Sequence, residues 1–209
     1  MGAPVKRVFL SSSFAQVADE FARFVGDDCA GKRVTFIATA SVVESVNFYV
    51  EQGRQALQRL GLEVDALDIS TATREQTRRT LQDNDYIYVS GGNTFYLRQE
   101  LRRTGADQAL VRAVESGTPY LGESAGAMVI APHIEYARFM DDPSAAPDLD
   151  AFTGLGLIDF FPVPHYGNAP FAEAAEQIMA TYGATLALRP LSNTQAMIVD
   201  GERVAVVGA

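Results

Sequence analysis

The chain has 209 residues, 47% of them hydrophobic, so it is long enough to bury the core of one domain without needing a second. Its formal net charge of -9 argues against nucleic acid or an anionic membrane as a partner, because both bind basic surfaces. A single cysteine, Cys29, excludes an internal disulfide, and the two histidines lack the spacing of zinc ligands. We therefore expect one α/β domain over residues 1–209, soluble and cytoplasmic, with no metal and no cofactor.

Short apolar runs alternate with amphipathic stretches along the chain. The apolar runs predict strands at residues 5–10, 34–40, 62–69, 85–89, 117–123, 155–161 and 184–188. Apolar residues at helical spacing predict helices at residues 14–25, 41–60, 73–82, 95–103, 106–116 and 170–182. The run at 34–40 lacks polar alternation, which is typical of a strand covered on both faces, so we expect it to be central in the sheet. Residues 194–199 and 203–207 predict a closing hairpin, since the intervening Asp200-Gly201 suits a tight turn.

Strand-then-helix units of this length predict a doubly wound, mostly parallel α/β sheet with helices on both faces and the hairpin at its C-terminal end. Ligands of such folds bind at the carboxyl ends of the strands. The residues that directly follow predicted strands are therefore the first candidates for a functional site.

One predicted strand, at 117–123, leads directly into Gly122-Glu123-Ser124-Ala125-Gly126. A serine between two glycines, placed after a strand and before a run of small residues, is the pattern of a nucleophile elbow. In that turn Ser124 would lie beside unpaired backbone N–H groups at the start of a helix. The alternative is a tight turn whose serine only caps the helix.

Another predicted strand, at 85–89, ends in Ser90-Gly91-Gly92-Asn93-Thr94. Paired glycines allow the backbone to expose its N–H groups at the same sheet edge. The alternative is a short connection in which Asn93 or Thr94 caps the following helix.

A serine nucleophile needs a base and a group that orients the base. The candidates for the base are His133, next to Pro132, and His165, which follows a strand and two prolines. His165 is preferred because the end of a strand could bring it to the edge where Ser124 lies.

The three segments 90–95, 122–127 and 164–168, in this order, resemble the signatures of the serine-peptidase family that contains dipeptidase E and cyanophycinase. The resemblance covers roughly residues 5–201. It implies a flavodoxin-like α/β sandwich related to class I glutamine amidotransferase domains. Those domains carry cysteine at the elbow, so Ser124 places this chain with the peptidases.

The resemblance implies that Ser124 is the nucleophile and His165 the general base, with the N–H groups of Gly92 and Ala125 forming an oxyanion hole. The acid is expected in the loop after the elbow, shortly before a proline, and Asp141 ahead of Pro143 matches best. Glu135 and Asp142 are the alternatives for this acid. The candidate substrate-binding residues are Asn93, beside the glycine turn, and Arg138, which could meet an acidic substrate.

The resulting hypothesis is a serine exopeptidase that hydrolyses short peptides, some of them with N-terminal aspartate, through an acyl-enzyme. Its only expected partner is the peptide, and the chain is expected to be a monomer or a homodimer. Two alternatives stay open: an esterase of the α/β-hydrolase type, and a non-catalytic ligand-binding domain of the amidotransferase-like fold.

Overall fold

The computed structural model describes residues 5–26 and 29–209, and over these residues it is an α/β fold with one large sheet and one small sheet. The strands are β1 (Arg7–Ser11), β2 (Arg33–Ile37), β3 (Glu63–Ala66), β4 (Tyr86–Val89), β5 (Tyr120–Glu123), β6 (Phe161–Val163), β7 (Leu188–Pro190), β8 (Gln195–Asp200) and β9 (Arg203–Gly208). The helices are α1 (Phe14–Val25), α2 (Phe48–Arg59), α3 (Arg74–Asp83), α4 (Thr94–Thr104), α5 (Ala106–Glu115), α6 (Ala125–Met128) and α7 (Ala172–Tyr182).

The large sheet has the strand order β3-β2-β4-β5-β1-β8-β9. The first five of these strands are parallel, and the hairpin β8–β9 joins the sheet antiparallel to β1. Helices α1 and α2 bury apolar residues in the core on one face, whereas α3, α4 and α5 bury theirs in the core on the other. The predicted doubly wound, mostly parallel sheet with a C-terminal hairpin is confirmed.

The segment after β2 differs from its prediction. Strand β2 lies one position from the sheet edge rather than at the centre, and the helix predicted from residue 41 begins at Phe48. Residues Thr39–Ser41 form a 3-10 turn instead, and the Ala40 carbonyl accepts a hydrogen bond from the N–H of Asn93 at 2.9 Å. This turn therefore supports the glycine turn after β4, and it cannot also serve as the first turn of α2.

The strand predicted at 155–161 is also displaced. Helix α6 ends at Met128, and the carbonyl groups just beyond it accept hydrogen bonds from the N–H groups of Leu155 and Leu157. Because the N–H groups of residues 154–157 bond to the segment 129–132 that follows α6, strand β6 begins only at Phe161 and pairs with β7 outside the large sheet.

A third apolar core packs α7, β6 and the segment around residues 131–146 against Phe95 of α4. This core carries the loops that follow β6 and β7 towards the carboxyl edge of the large sheet. Cys29 is buried in the core beneath α1 and α2. Among the described residues, no helix is long and apolar enough to cross a membrane.

Candidate active site

Ser124 lies at the sharp turn between β5 and α6. Its backbone has φ 49° and ψ -107°, a conformation that residues with a side chain rarely adopt and that costs on the order of 1–3 kcal/mol. The N–H of Ser124 donates to the Ser11 carbonyl of the neighbouring strand at 2.9 Å, which holds the turn at the carboxyl edge of the sheet.

The two glycines that flank Ser124 are required by close contacts. A Cβ on Gly122 would lie 2.5 Å from the carbonyl oxygen of Gly126. A Cβ on Gly126 would lie 2.2 Å from the carbonyl oxygen of Val89, on the adjacent strand. Both distances are far below van der Waals contact, so the G-x-S-x-G spacing is dictated by packing, as the predicted elbow requires.

His165 directs its ring at the serine, with Nε2 3.0 Å from Ser124 Oγ. The backbone of His165 also has a positive φ, 61°, and its N–H donates to Ser12 Oγ at 2.9 Å. The ring stacks on Phe171, with centroids 5.0 Å apart. Two residues with positive φ thus face each other across one hydrogen bond of ordinary length.

The other ring nitrogen of His165 contacts Asn193, with Nδ1 2.8 Å from Oδ1. This contact follows from the small sheet: β6 and β7 are parallel neighbours, His165 lies two residues after β6, and Asn193 lies three residues after β7. The N–H of Asn193 is fixed in turn by Asn168 Oδ1 at 2.8 Å. Because an amide oxygen only accepts, Asn193 places the imidazole proton on Nδ1 and leaves Nε2 free to accept from Ser124.

The protonation of His165 is set by its surroundings. Burial lowers the pKa of the imidazole below its usual value, and the hydrogen bond to Asn193 opposes this only in part. The ring is therefore neutral at pH 7, which is the form a general base requires.

The three carboxylates predicted as the acid do not contact His165, so that prediction is corrected. Asp141 is partly buried, and its carboxylate accepts the N–H of Thr94 at 2.9 Å, at the start of α4. Asp142 accepts from Ser144 in a local 3-10 turn, and Glu135 pairs with Arg138 at the surface. Their sequence positions fit, but the loop that carries them packs on the α4 side of the elbow.

The two residues predicted to bind substrate are occupied by contacts within the protein. The Asn93 side chain is buried, caps α4 by accepting from the N–H of Tyr96, and donates to the Asp142 carbonyl. The Arg138 guanidinium pairs with Glu135 at 3.5 Å and lies over the Phe152 ring. The structure thus gives Asn93 the capping role that the sequence left open as its alternative.

The predicted oxyanion donors have the right backbone environment. Within residues 5–26 and 29–209, the N–H groups of Gly92 and Ala125 have no hydrogen-bond acceptor in the protein. Ala125 is the first residue of α6, whose N–H cannot be satisfied inside the helix. Gly92 has φ +131°, and a Cβ there would lie 2.3 Å from the Ala40 carbonyl, so only glycine fits.

The comparisons with known proteins agree with this geometry. The family model of peptidase family S51 matches residues 8–207. The chain belongs to peptidase family S51. It is accordingly a serine peptidase, and the esterase and non-catalytic alternatives are set aside.

Two relatives show how far the S51 likeness extends. An uncharacterized peptidase of Pasteurella multocida is 49% identical over 204 residues, which cover 98% of each chain. A peptidase E of Nostoc is 31% identical over 170 residues, covering 78% of this chain and 67% of that one. Among solved structures, a Listeria monocytogenes protein described as a candidate peptidase E is 44% identical, with a TM-score of 0.94 over 98% of this chain and 99% of that one.

Asn193 is the site residue that sequence reasoning missed. Its signal was a polar residue just after a strand, the same criterion that selected His165. It was overlooked because the search was restricted to carboxylates, and because the pairing of β6 with β7 joins segments 25 residues or more apart in the chain.

Proposed function

We propose that this S51 peptidase hydrolyses short peptides near their N-terminus through an acyl-enzyme formed on Ser124. The observation that carries the proposal is the chain of contacts from Ser124 Oγ through His165 to Asn193 Oδ1, at 3.0 and 2.8 Å. A serine, an imidazole and an oriented acceptor in this order are the working parts of a serine hydrolase.

In this mechanism, Nε2 of His165 takes the proton from Ser124 Oγ as the oxygen attacks the scissile carbonyl. The oxyanion that forms is stabilised by the N–H groups of Gly92 and Ala125, and the imidazolium then gives its proton to the leaving amine. Water repeats the attack on the acyl-enzyme with His165 again as the base. Asn193 holds the Nδ1 proton throughout and itself loses no proton.

The preference for the N-terminal end of the substrate is what the resemblance to dipeptidase E implies, and relatives named peptidase E support the family. An N-terminal aspartate is the residue that the resemblance suggests. Arg138, the cation first considered for its recognition, is already paired with Glu135. The identity of the preferred N-terminal residue is therefore the part of the proposal that a peptide panel must decide.

Labelling with a fluorophosphonate probe tests the nucleophile. We expect one adduct, located by mass spectrometry on Ser124 and absent from Ser124→Ala. Labelling at another residue, or none, would refute the mechanism.

A panel of dipeptides and tripeptides tests the substrate class. It should vary the first residue among Asp, Ala, Leu and Lys, and include an N-acetylated copy of each peptide. We expect cleavage of the free peptides and at least tenfold slower cleavage of the acetylated ones. Equal rates for both sets would contradict an exopeptidase.

A further inference from the structure

Glu123, which precedes the nucleophile, carries a buried carboxylate that the mechanism above does not use. Its side chain is 3% exposed, and one oxygen accepts the N–H of Phe14 at 2.8 Å. The other oxygen accepts the hydroxyl of Tyr88, and the N–H of Gly91 faces the carboxylate. Two hydrogen bonds and one facing N–H group thus bring three separate segments to one side chain.

Each donor comes from a segment at the carboxyl edge of the sheet. Phe14 begins α1, whose N-cap residue Ser13 makes no side-chain capping bond, so Glu123 satisfies an otherwise free N–H. Tyr88 lies on β4, and Gly91 lies in the turn that follows β4. Glu123 therefore ties β5, which carries the nucleophile, to the elements on both sides of it.

Helix α2 has a glycine where it passes the Glu123 carboxylate and its partner Tyr88. A Cβ on Gly53 would lie 2.4 Å from the Tyr88 hydroxyl oxygen and 3.7 Å from Glu123 Oε2. Glycine inside a helix costs roughly 0.5–1 kcal/mol relative to alanine. Here it makes room for the hydrogen-bonded pair.

Gly91 follows Ser90 directly after β4, the strand whose Tyr88 donates to Glu123, and its N–H faces the same carboxylate. The next peptide carries the N–H of Gly92. On the opposite side of the turn, Gly92 packs against the Ala40 carbonyl, and the same carbonyl accepts the N–H of Asn93. The turn is thus held from two sides, by Glu123 and by the segment after β2. This arrangement fixes the Gly92 N–H relative to Ser124, whose Cβ would lie 3.3 Å from a Cβ on Gly91.

We propose that Glu123 is a positioning residue, which holds the oxyanion-binding N–H of Gly92 in register with the nucleophile Ser124. The proposal rests on the proposed function and adds to it a residue that does not touch the substrate. Burial raises the pKa of the Glu123 carboxyl, so enclosing this group has a free-energy cost. An apolar side chain would avoid that cost but would leave the N–H of Phe14 and the hydroxyl of Tyr88 without an acceptor.

The test compares Glu123→Met with the wild type in fluorophosphonate inactivation, since the probe needs the same oxyanion site as a substrate. Methionine keeps the length of the side chain and removes every acceptor. We expect the maximal inactivation rate to fall at least tenfold, because loss of one oxyanion donor costs about 100- to 1,000-fold and misplacement costs part of that. The half-saturating probe concentration should change less than about threefold, since ground-state binding is not affected.

Two further variants separate positioning from general destabilisation. Glu123→Gln retains one acceptor oxygen and should recover a large part of the lost rate. Thr35 lies on β2, two strands from β5, and Thr35→Val removes the hydrogen bonds that its hydroxyl makes with the Asn84 amide and the Thr80 carbonyl. It should lower the thermal midpoint while leaving the inactivation rate unchanged.

A wild-type rate in folded Glu123→Met would overturn the proposal, as would an equal loss in Thr35→Val. If neither Glu123 variant folds, amide exchange of wild-type Gly91 decides: protection supports the tie, and exchange at the rate of an exposed loop refutes it. A wild-type protein that takes up no probe would refute the proposed function instead.

Discussion

Asn193, rather than a carboxylate, contacts Nδ1 of His165, and this contact leads to a measurable prediction. Substituting Asn193→Ala removes the only side chain that the described structure places on Nδ1. In the transition state His165 is an imidazolium, and a hydrogen bond to a charged group is worth about 1.5–3 kcal/mol. At about 1.4 kcal/mol for each factor of ten, kcat should fall about 10- to 150-fold.

The same position predicts a change in pH dependence. In Asn193→Asp a carboxylate would face Nδ1, and an opposite charge at this distance raises the pKa of a histidine. Since the wild-type pKa is lowered by burial, the acid limb of the rate profile should move to higher pH in the variant.

The assay is the rate of fluorophosphonate labelling from pH 5 to 9, which requires no knowledge of the substrate. Asn168→Ala is the control. It removes the acceptor of the Asn193 N–H but leaves the Asn193 side-chain amide in place, so we expect a smaller loss in labelling rate than for Asn193→Ala. If Asn193→Ala labels at the wild-type rate, or if Asn193→Asp leaves the acid limb where it was, Asn193 does not orient the base.

Three other predictions concern residues around the site. Asp141 is partly buried and its pKa is raised from 3.8 to about 7, so its contribution to stability is greatest below pH 4 and declines as pH rises through 7. Asp141→Asn should remove about 2 to 3 kcal/mol of decline between pH 5 and 8, measured by urea unfolding at the two pH values, because roughly two pH units of the shift lie in that interval; an unchanged pH dependence would contradict this. Gly92→Ala should reduce labelling at least 100-fold because its Cβ would overlap the Ala40 carbonyl, and normal labelling would exclude Gly92 from the oxyanion site. Glu135→Gln should retain full activity, since Glu135 pairs only with Arg138 at the surface, and a large loss in steady-state rate would reinstate it as a candidate acid.

The sequence predicted well those parts of the fold that depend on local pattern. Helix α1 has the predicted bounds, and the parallel strands and the hairpin lie where apolar runs and turn residues indicated. The errors occur where backbone N–H and C=O groups form hydrogen bonds with residues distant in the sequence. Residues 39–41 support the turn at Gly92 instead of starting α2, and residues 154–157 bond to the segment that follows α6 instead of forming a strand.

The residues of the candidate site also fall into those that a local motif predicts and those that only long-range pairing brings together. Ser124 and Gly92 were found because their turns are local motifs, and His165 because it follows a strand and was the better placed of two histidines. Asn193 was not found, since only the pairing of β6 with β7 brings it to His165. The sequence analysis also considered only carboxylates for this position, whereas the side chain at Nδ1 of His165 is an amide.

Two carboxyl groups near Ser124 contact the segment after β4. Glu123 accepts the hydroxyl of Tyr88 and faces the N–H of Gly91, and Asp141 accepts the N–H of Thr94, while His165 has a neutral amide at Nδ1. A carboxylate on His165 would stabilise the imidazolium but would also favour the protonated resting form. With a neutral partner the base stays unprotonated to lower pH, and more of the transition-state stabilisation must come from rigidly held oxyanion donors. The two carboxyl groups that contact residues 88–94 lie beside the N–H of Gly92, where the proposed mechanism needs a rigid backbone.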